Sequence, residues 1–156
     1  ARADNLGNWL ADLETRLGSL SRTLSESVGK ASVSDAVANL DPDDPLSEDI
    51  GGEDVKTDWT RIDDVFYEAR GSAWALLHIF RAIEVDFRKV IVDKNAMASV
   101  KQIIIELEGT QESMWSPVIL NGSGFGLLAN HSLTMAAYLS RANAAISDMR
   151  DLLSRG

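Results

Sequence analysis

Leucines recur along the first part of the chain at Leu6, Leu10, Leu13, Leu17, Leu20 and Leu24, and those alternating steps of four and three residues are the a/d seam of one helix. Trp9 widens the stripe. Beyond Leu24 the seam thins to Val28, Ala31 and Ala38 among serines, so the pattern predicts a helix from about Asn5 to Asn39 that packs better at its beginning than at its end. A second helical pattern runs through Ile62, Phe66, Ala69, Ala73, Leu77, Phe80, Phe87 and Ile91. It predicts a helix from about Arg61 to Val92, opened by Thr60 and Asp63 in a capping-box arrangement. Gly71 and Ser72 in its middle weaken the helix and point to a tight crossing with another backbone.

A third helix is expected to begin near Asn95 and to carry Val100, Ile103, Ile104 and Leu107 inward. Gly109 weakens it and Pro117 ends it. The fourth follows the glycine-rich run Gly122–Gly126 and repeats Leu128, Ser132, Met135, Leu139, Ala142, Ile146, Met149 and Leu153. Each apolar stripe needs a facing one, so the fold class expected is all-α, an antiparallel bundle of about four helices.

Between the first two helices the pattern stops. From Asp41 to Asp58 two prolines and two glycines punctuate a run of acidic residues, the composition of a solvated loop or linker. Pro42 and Pro45 interrupt the alternating oxygen ligands that a calcium loop requires. The organisation expected is an N-terminal amphipathic helix over 1–40, an acidic loop or linker over 41–58, and a helical core over 59–156 belonging to the same domain. A length of 156 residues suits one compact core.

Charge narrows the partners. The formal net charge is −9, and residues 1–60 carry 5 Lys+Arg against 13 Asp+Glu while the remainder is nearly neutral. No basic face is available to displace counterions from a phosphate backbone, so nucleic acid is not an expected partner. With no cysteine and only His78 and His131 as histidines, thiolate and three-histidine zinc sites are excluded, and neither a metal nor a cofactor is expected. No stretch approaches the roughly 18 apolar residues of a membrane span. The chain opens at Ala1 and not at Met, and is expected to be cut from a longer protein.

Two constellations offer chemistry. Tyr67, Arg70, Trp74, His78 and Arg81 follow one another at steps of three, four, four and three, along a stripe of the second helix separate from its apolar one. Arginine forks suit carboxylate or phosphate, aromatic rings add stacking area, and histidine titrates near neutrality. The bland explanation is that these are boundary side chains packing against the third helix or the linker. Glu84 shares the apolar stripe and needs a cation if buried, for which Arg141 is the candidate. The second constellation is Asn121, Gly122, Ser123 and Gly124, leading into a helix whose free N–H groups suit an anion. It lacks the lysine of a phosphate loop, and a helix-to-helix turn needing positive φ is the better explanation of its glycines. His131 and Tyr138 share a face of the fourth helix and would complete a site with His78 if the helices were adjacent.

The segments DDVFYEARGSAWALLHIFRAIEVD at Asp63–Asp86 and WSPVILNGSGFGLLAN at Trp115–Asn130 resemble a family of uncharacterised proteobacterial envelope proteins. The resemblance covers most of residues 59–156 and is weaker over the first helix and the acidic run. It implies a soluble domain on the periplasmic face of the inner membrane, anchored only through a membrane-spanning segment that is absent from this chain. It implies no activity and assigns no catalytic residue.

The function expected is therefore a non-enzymatic interaction or scaffolding domain, docking a protein partner or a second copy of itself through its helical surface or the Leu6–Leu24 seam. The competing expectation is a small anionic ligand-binding domain or hydrolase using Arg70, His78 and Arg81 with the Asn121–Gly126 loop.

Overall fold

A computed structural model describes residues 3–38, 59–113 and 130–155. It contains α1 (Ala3–Ala38), α2 (Trp59–Asp86), the short α3 (Arg88–Asp93), α4 (Met97–Gly109) and α5 (His131–Ser154). The class is all-α, and the long helices pack as a bundle. α1 runs along α5 over much of its length, α5 along α4, and α4 along α2, which closes the ring against α1.

Cross-helix contacts give the directions. Glu14 of α1 meets Arg150 of α5 at 2.8 Å, and seven residues further along α1 the Ser21 hydroxyl donates to the Ala136 carbonyl at 3.1 Å. Glu106 meets Arg141 across α4 and α5, and Lys94 donates to the Arg155 carbonyl at the opposite end. Trp9 and Phe80 set their rings 5.8 Å apart across α1 and α2. Neighbours thus run antiparallel, and each long helix lies beside the one before it, as consecutive elements usually do.

The core takes one stripe from each element. Leu6, Leu10, Leu13, Leu17 and Leu24 are buried and Leu20 is partly buried, so most of the leucine seam of α1 packs inside the chain. Phe66, Ala69, Ala73, Leu77 and Phe80 meet it from α2, and the unbroken line from Ser132 to Leu153 meets it from α5. α1 and α2 approach less closely, leaving a groove of about 410 Å³ that Leu13, Leu17, Leu76 and Ile79 help to line.

Several elements depart from the sequence-based expectation. The second helix does not run unbroken to Val92. Phe87 leaves helical geometry at φ −104°, while the hydrogen bonds from its own N–H to Ile83 and from Ile91 to its carbonyl are kept. Up to that bend Ile83 takes the buried position and Glu84 stays half-buried. Burying Ile83 in place of a carboxylate avoids a desolvation cost.

Asn95 does not open the next helix. It closes α3 at φ 57°, with Ala96 N–H on Ile91 O at 2.8 Å and Asn95 N–H on Val92 O at 3.0 Å. This is the six-to-one and five-to-two pairing of a Schellman motif, with Asn in the left-handed position and buried Ile91 and Ala96 as its apolar contact. α5 opens at His131, with the Asn130 side chain accepting from Leu133 N–H at 2.8 Å as its cap.

The glycine expectation was misplaced. A Cβ built on Gly71 meets nothing within 4 Å, whereas one built on Gly109 would come 2.7 Å from Cζ of Tyr138. The close approach in this bundle is therefore at the end of α4, where an aromatic ring of α5 lies on the backbone.

Candidate functional site

The five stripe residues of α2 divide into two groups. Arg70 leans toward the end of α4, where its Nη2 donates to the carbonyls of Gln111 and Glu112 at 3.2 Å each, and Gln111 Nε2 returns a bond to the Arg70 carbonyl at 3.1 Å. These carbonyls belong to the turn that follows the C-cap of α4, Thr110, where a guanidinium can satisfy two backbone acceptors at once. Arg81 pairs with Glu108 at 2.7 Å, half exposed on both sides. Arg81 thus ties α2 to the last turn of α4, and Arg70 ties it to the residues that follow. The proposed partnership of Glu84 with Arg141 does not form, because Arg141 pairs with Glu106.

The aromatic members stay outside. Trp74 is 57% exposed and Tyr67 54%. The Trp74 indole is braced edge-on by His78 at 4.5 Å between ring centres, and Tyr67 stands at right angles to Phe66 at 5.6 Å. Each ring is held by its own helix and still presents apolar area to solvent.

Counting outward from these rings shows a longer line than the five residues. Asp64, Tyr67, Gly71, Trp74, His78, Arg81 and Val85 follow at steps of three, four, three, four, three and four, and every one of them is exposed. That is the spacing of a coiled-coil seam, here on the outer surface of α2. Between Tyr67 and Trp74 the missing side chain of Gly71 leaves a shallow notch, bordered also by Arg70 and Gln111. Asp64, Gly71 and Val85 were not among the residues picked out by chemistry. The signal that finds them is a strict alternation of three and four, which takes Gly71 in place of Arg70 and continues back to Asp64 and on to Val85.

A second feature lies at one end of the bundle. Arg70 and His131 line the same cavity of about 240 Å³, with Thr134 and Tyr138 on its wall and Phe66 and Met135 among its apolar lining. Tyr138 is fixed from two sides, by the Gly109 backbone beneath it and by the Arg141 guanidinium 4.7 Å from its ring centre. Arg141 Nε in turn donates to Glu106, which is 7% exposed and also accepts from Gln102 at 2.6 Å. His131 and Tyr138 do share a face, but the cavity joins them to Arg70 and not to His78. Its volume falls below the roughly 300 Å³ at which small-molecule sites usually begin. Asn121, Gly122, Ser123 and Gly124 lie outside the described residues.

Among the described residues no group of three His, Asp or Glu side chains is arranged to hold a metal ion, and no helix is long and apolar enough to cross a membrane. No curated protein and no solved structure matches the chain. One family model does: over residues 1–156 the sequence fits the family described as an uncharacterized protein conserved in bacteria, DUF2333, and the chain belongs to it.

Proposed function

We propose that the protein is a non-enzymatic interaction or scaffolding domain of the bacterial cell envelope, and that it docks a protein partner through the outer face of α2. The observation that carries this reading is the exposed line from Asp64 to Val85, with Trp74 and Tyr67 more than half exposed at its centre. An exposed Trp and Tyr on one rigid face are the residue types that dominate protein interfaces, since they supply large area at low entropic cost. Most of the leucine seam is already packed within the chain, which favours the α2 face over it. Location in the envelope rests on the resemblance of Asp63–Asp86 and Trp115–Asn130 to envelope proteins.

The test places a photo-crosslinking amino acid at Trp74, at Tyr67 or at Asp148 of α5, an exposed position on a different helix, in bacteria that make the protein natively. Protein adducts are expected from positions 74 and 67 and not from 148. No adduct at 74, or equal labelling at all three, would sink the reading.

A second reading has one observation in its favour, the end cavity that brings Arg70 and His131 together. A small carboxylate or phosphate bound there would raise the melting temperature saturably. A flat response to inorganic phosphate and to a panel of dicarboxylates removes it.

A further inference from the structure

Among the described residues nothing inside the chain uses Gly71. It lies mid-helix, where glycine costs stability, yet no described backbone crosses it, a Cβ would meet no described atom within 4 Å, and its φ is not in the left-handed region. What it does is leave a notch on the outer seam of α2, one turn from the exposed Trp74. A protruding indole and an empty notch three residues apart on one helix are a knob and a socket, and a two-fold axis midway between them maps each onto the other.

Resting on the interaction reading above, we propose that the partner is a second copy of this chain, with α2 packing antiparallel on α2 across a two-fold axis between Gly71 and Trp74. Trp74 of each copy fills the Gly71 notch of the other. The rest of the seam agrees with that register. Steps of four and three lead from Gly71 to Tyr67 and Asp64, and the same steps lead from Trp74 to His78 and Arg81. The axis therefore sets Tyr67 against His78 of the second copy, two rings facing each other, and Asp64 against Arg81.

Asp64 and Arg81 are the two fully charged residues of the seam, of opposite sign and equally far from its centre. The antiparallel pairing brings opposite charges together twice, whereas a parallel pairing would set Asp64 on Asp64 and Arg81 on Arg81. Arg81 already holds Glu108 through one nitrogen, and a guanidinium has five N–H donors with which to take a second carboxylate. The His78 brace on Trp74 holds the indole in place before docking, which lowers the entropy lost on association. A single helix pair sits at the small end of specific interfaces, below about 1,200 Å², so the dimer should dissociate in the micromolar range.

Sedimentation equilibrium on the full chain tests this, with wild type, Gly71→Ala, Trp74→Ala, Asp64→Lys, Arg81→Glu and the Asp64→Lys/Arg81→Glu double variant, each also unfolded by urea. Wild type is expected to dimerise reversibly. Gly71→Ala should weaken the dimer about tenfold or more while its unfolding midpoint, read at monomer concentrations, is unchanged or higher. A merely structural glycine would not give that split. Each charge reversal should weaken the dimer and the double variant should recover it.

A wild type that stays monomeric at about 0.1 mM, well above micromolar dissociation constants, overturns the inference, as does a Gly71→Ala variant that dimerises as tightly as wild type. The interaction reading is judged separately. Crosslinks from position 74 to a different protein, with a monomeric wild type, would end the self-pairing and leave that reading standing, and a monomer without adducts would end both.

Discussion

Two glycines have opposite prospects under the same substitution. Gly71→Ala places a methyl group in open solvent and removes the entropic penalty of glycine, so the monomer should gain about 0.5–1 kcal/mol. Gly109→Ala drives a methyl group into the Tyr138 ring, which also carries the Arg141 guanidinium, and should cost about 1–3 kcal/mol. Urea unfolding of the two variants under identical conditions checks both signs. Neither sign was legible in the sequence, where Gly71 looked like the crossing point and Gly109 like a weak spot. The difference lies in what faces each glycine, and helix pairing decides that. The same holds for the carboxylates. Glu84 looked buried because it shares a stripe with Leu77 and Phe80, but Ile83, three residues after Phe80, takes the inward place, and the deeply placed carboxylate among the described residues is Glu106. One residue before Leu107 and three after Ile103, it stood on the inward face of α4 all along.

At the level of elements, α4 is held by its end. The residues just past it accept Arg70, and its last turn pairs with Arg81, binds Arg141 through Glu106 and carries the Tyr138 ring. The Glu106–Arg141 pair is lopsided, because the carboxylate is buried and the arginine side chain is 52% exposed. Arg141→Met should therefore cost about 1–3 kcal/mol, since it strands a buried acceptor with only Gln102 for company. Glu106→Met should cost less than about 1 kcal/mol, because Arg141 turns to water and keeps its aromatic stack. Comparable losses in the two variants would contradict this account of the pair. Helix identity was readable from periodicity in every long element. Ends were less so: the break at Phe87 and the Asn95 cap depend on dihedral choices that a hydrophobic stripe does not record. The candidate site was half readable. The stripe from Tyr67 to Arg81 is real, but which of its members point outward and which fasten α4 followed only from where α4 lies.

For the molecule as a whole, the decisive contact is between its first and last helices. α1 packs far more extensively on α5 than on α2, the next long helix described, so the bundle is closed by the residues most distant in sequence. A chain lacking residues 1–38 should lose cooperative unfolding, because Leu139, Ile146 and Met149 would face solvent where Leu10, Leu13 and Leu17 now cover them. Thermal denaturation followed by near-ultraviolet circular dichroism, together with dye binding to exposed apolar surface, reads this directly. A sharp transition and no dye uptake in the shortened chain would show that the remaining helices suffice.

That same arrangement sets how the domain answers to mechanical load. The first turn of α1 and the last turn of α5 lie together at one end, where Ala3 and Gly7 sit beside Asp151 and Ser154. Tension applied through these two places meets the α1 and α5 contacts one at a time, opening them like a zip from Leu6 and Leu153 inward. Tension between Ala3 and Thr110, toward opposite ends of the bundle, would strain many contacts at once. The domain is thus built to part easily when pulled by its own ends and to resist when pulled along its length.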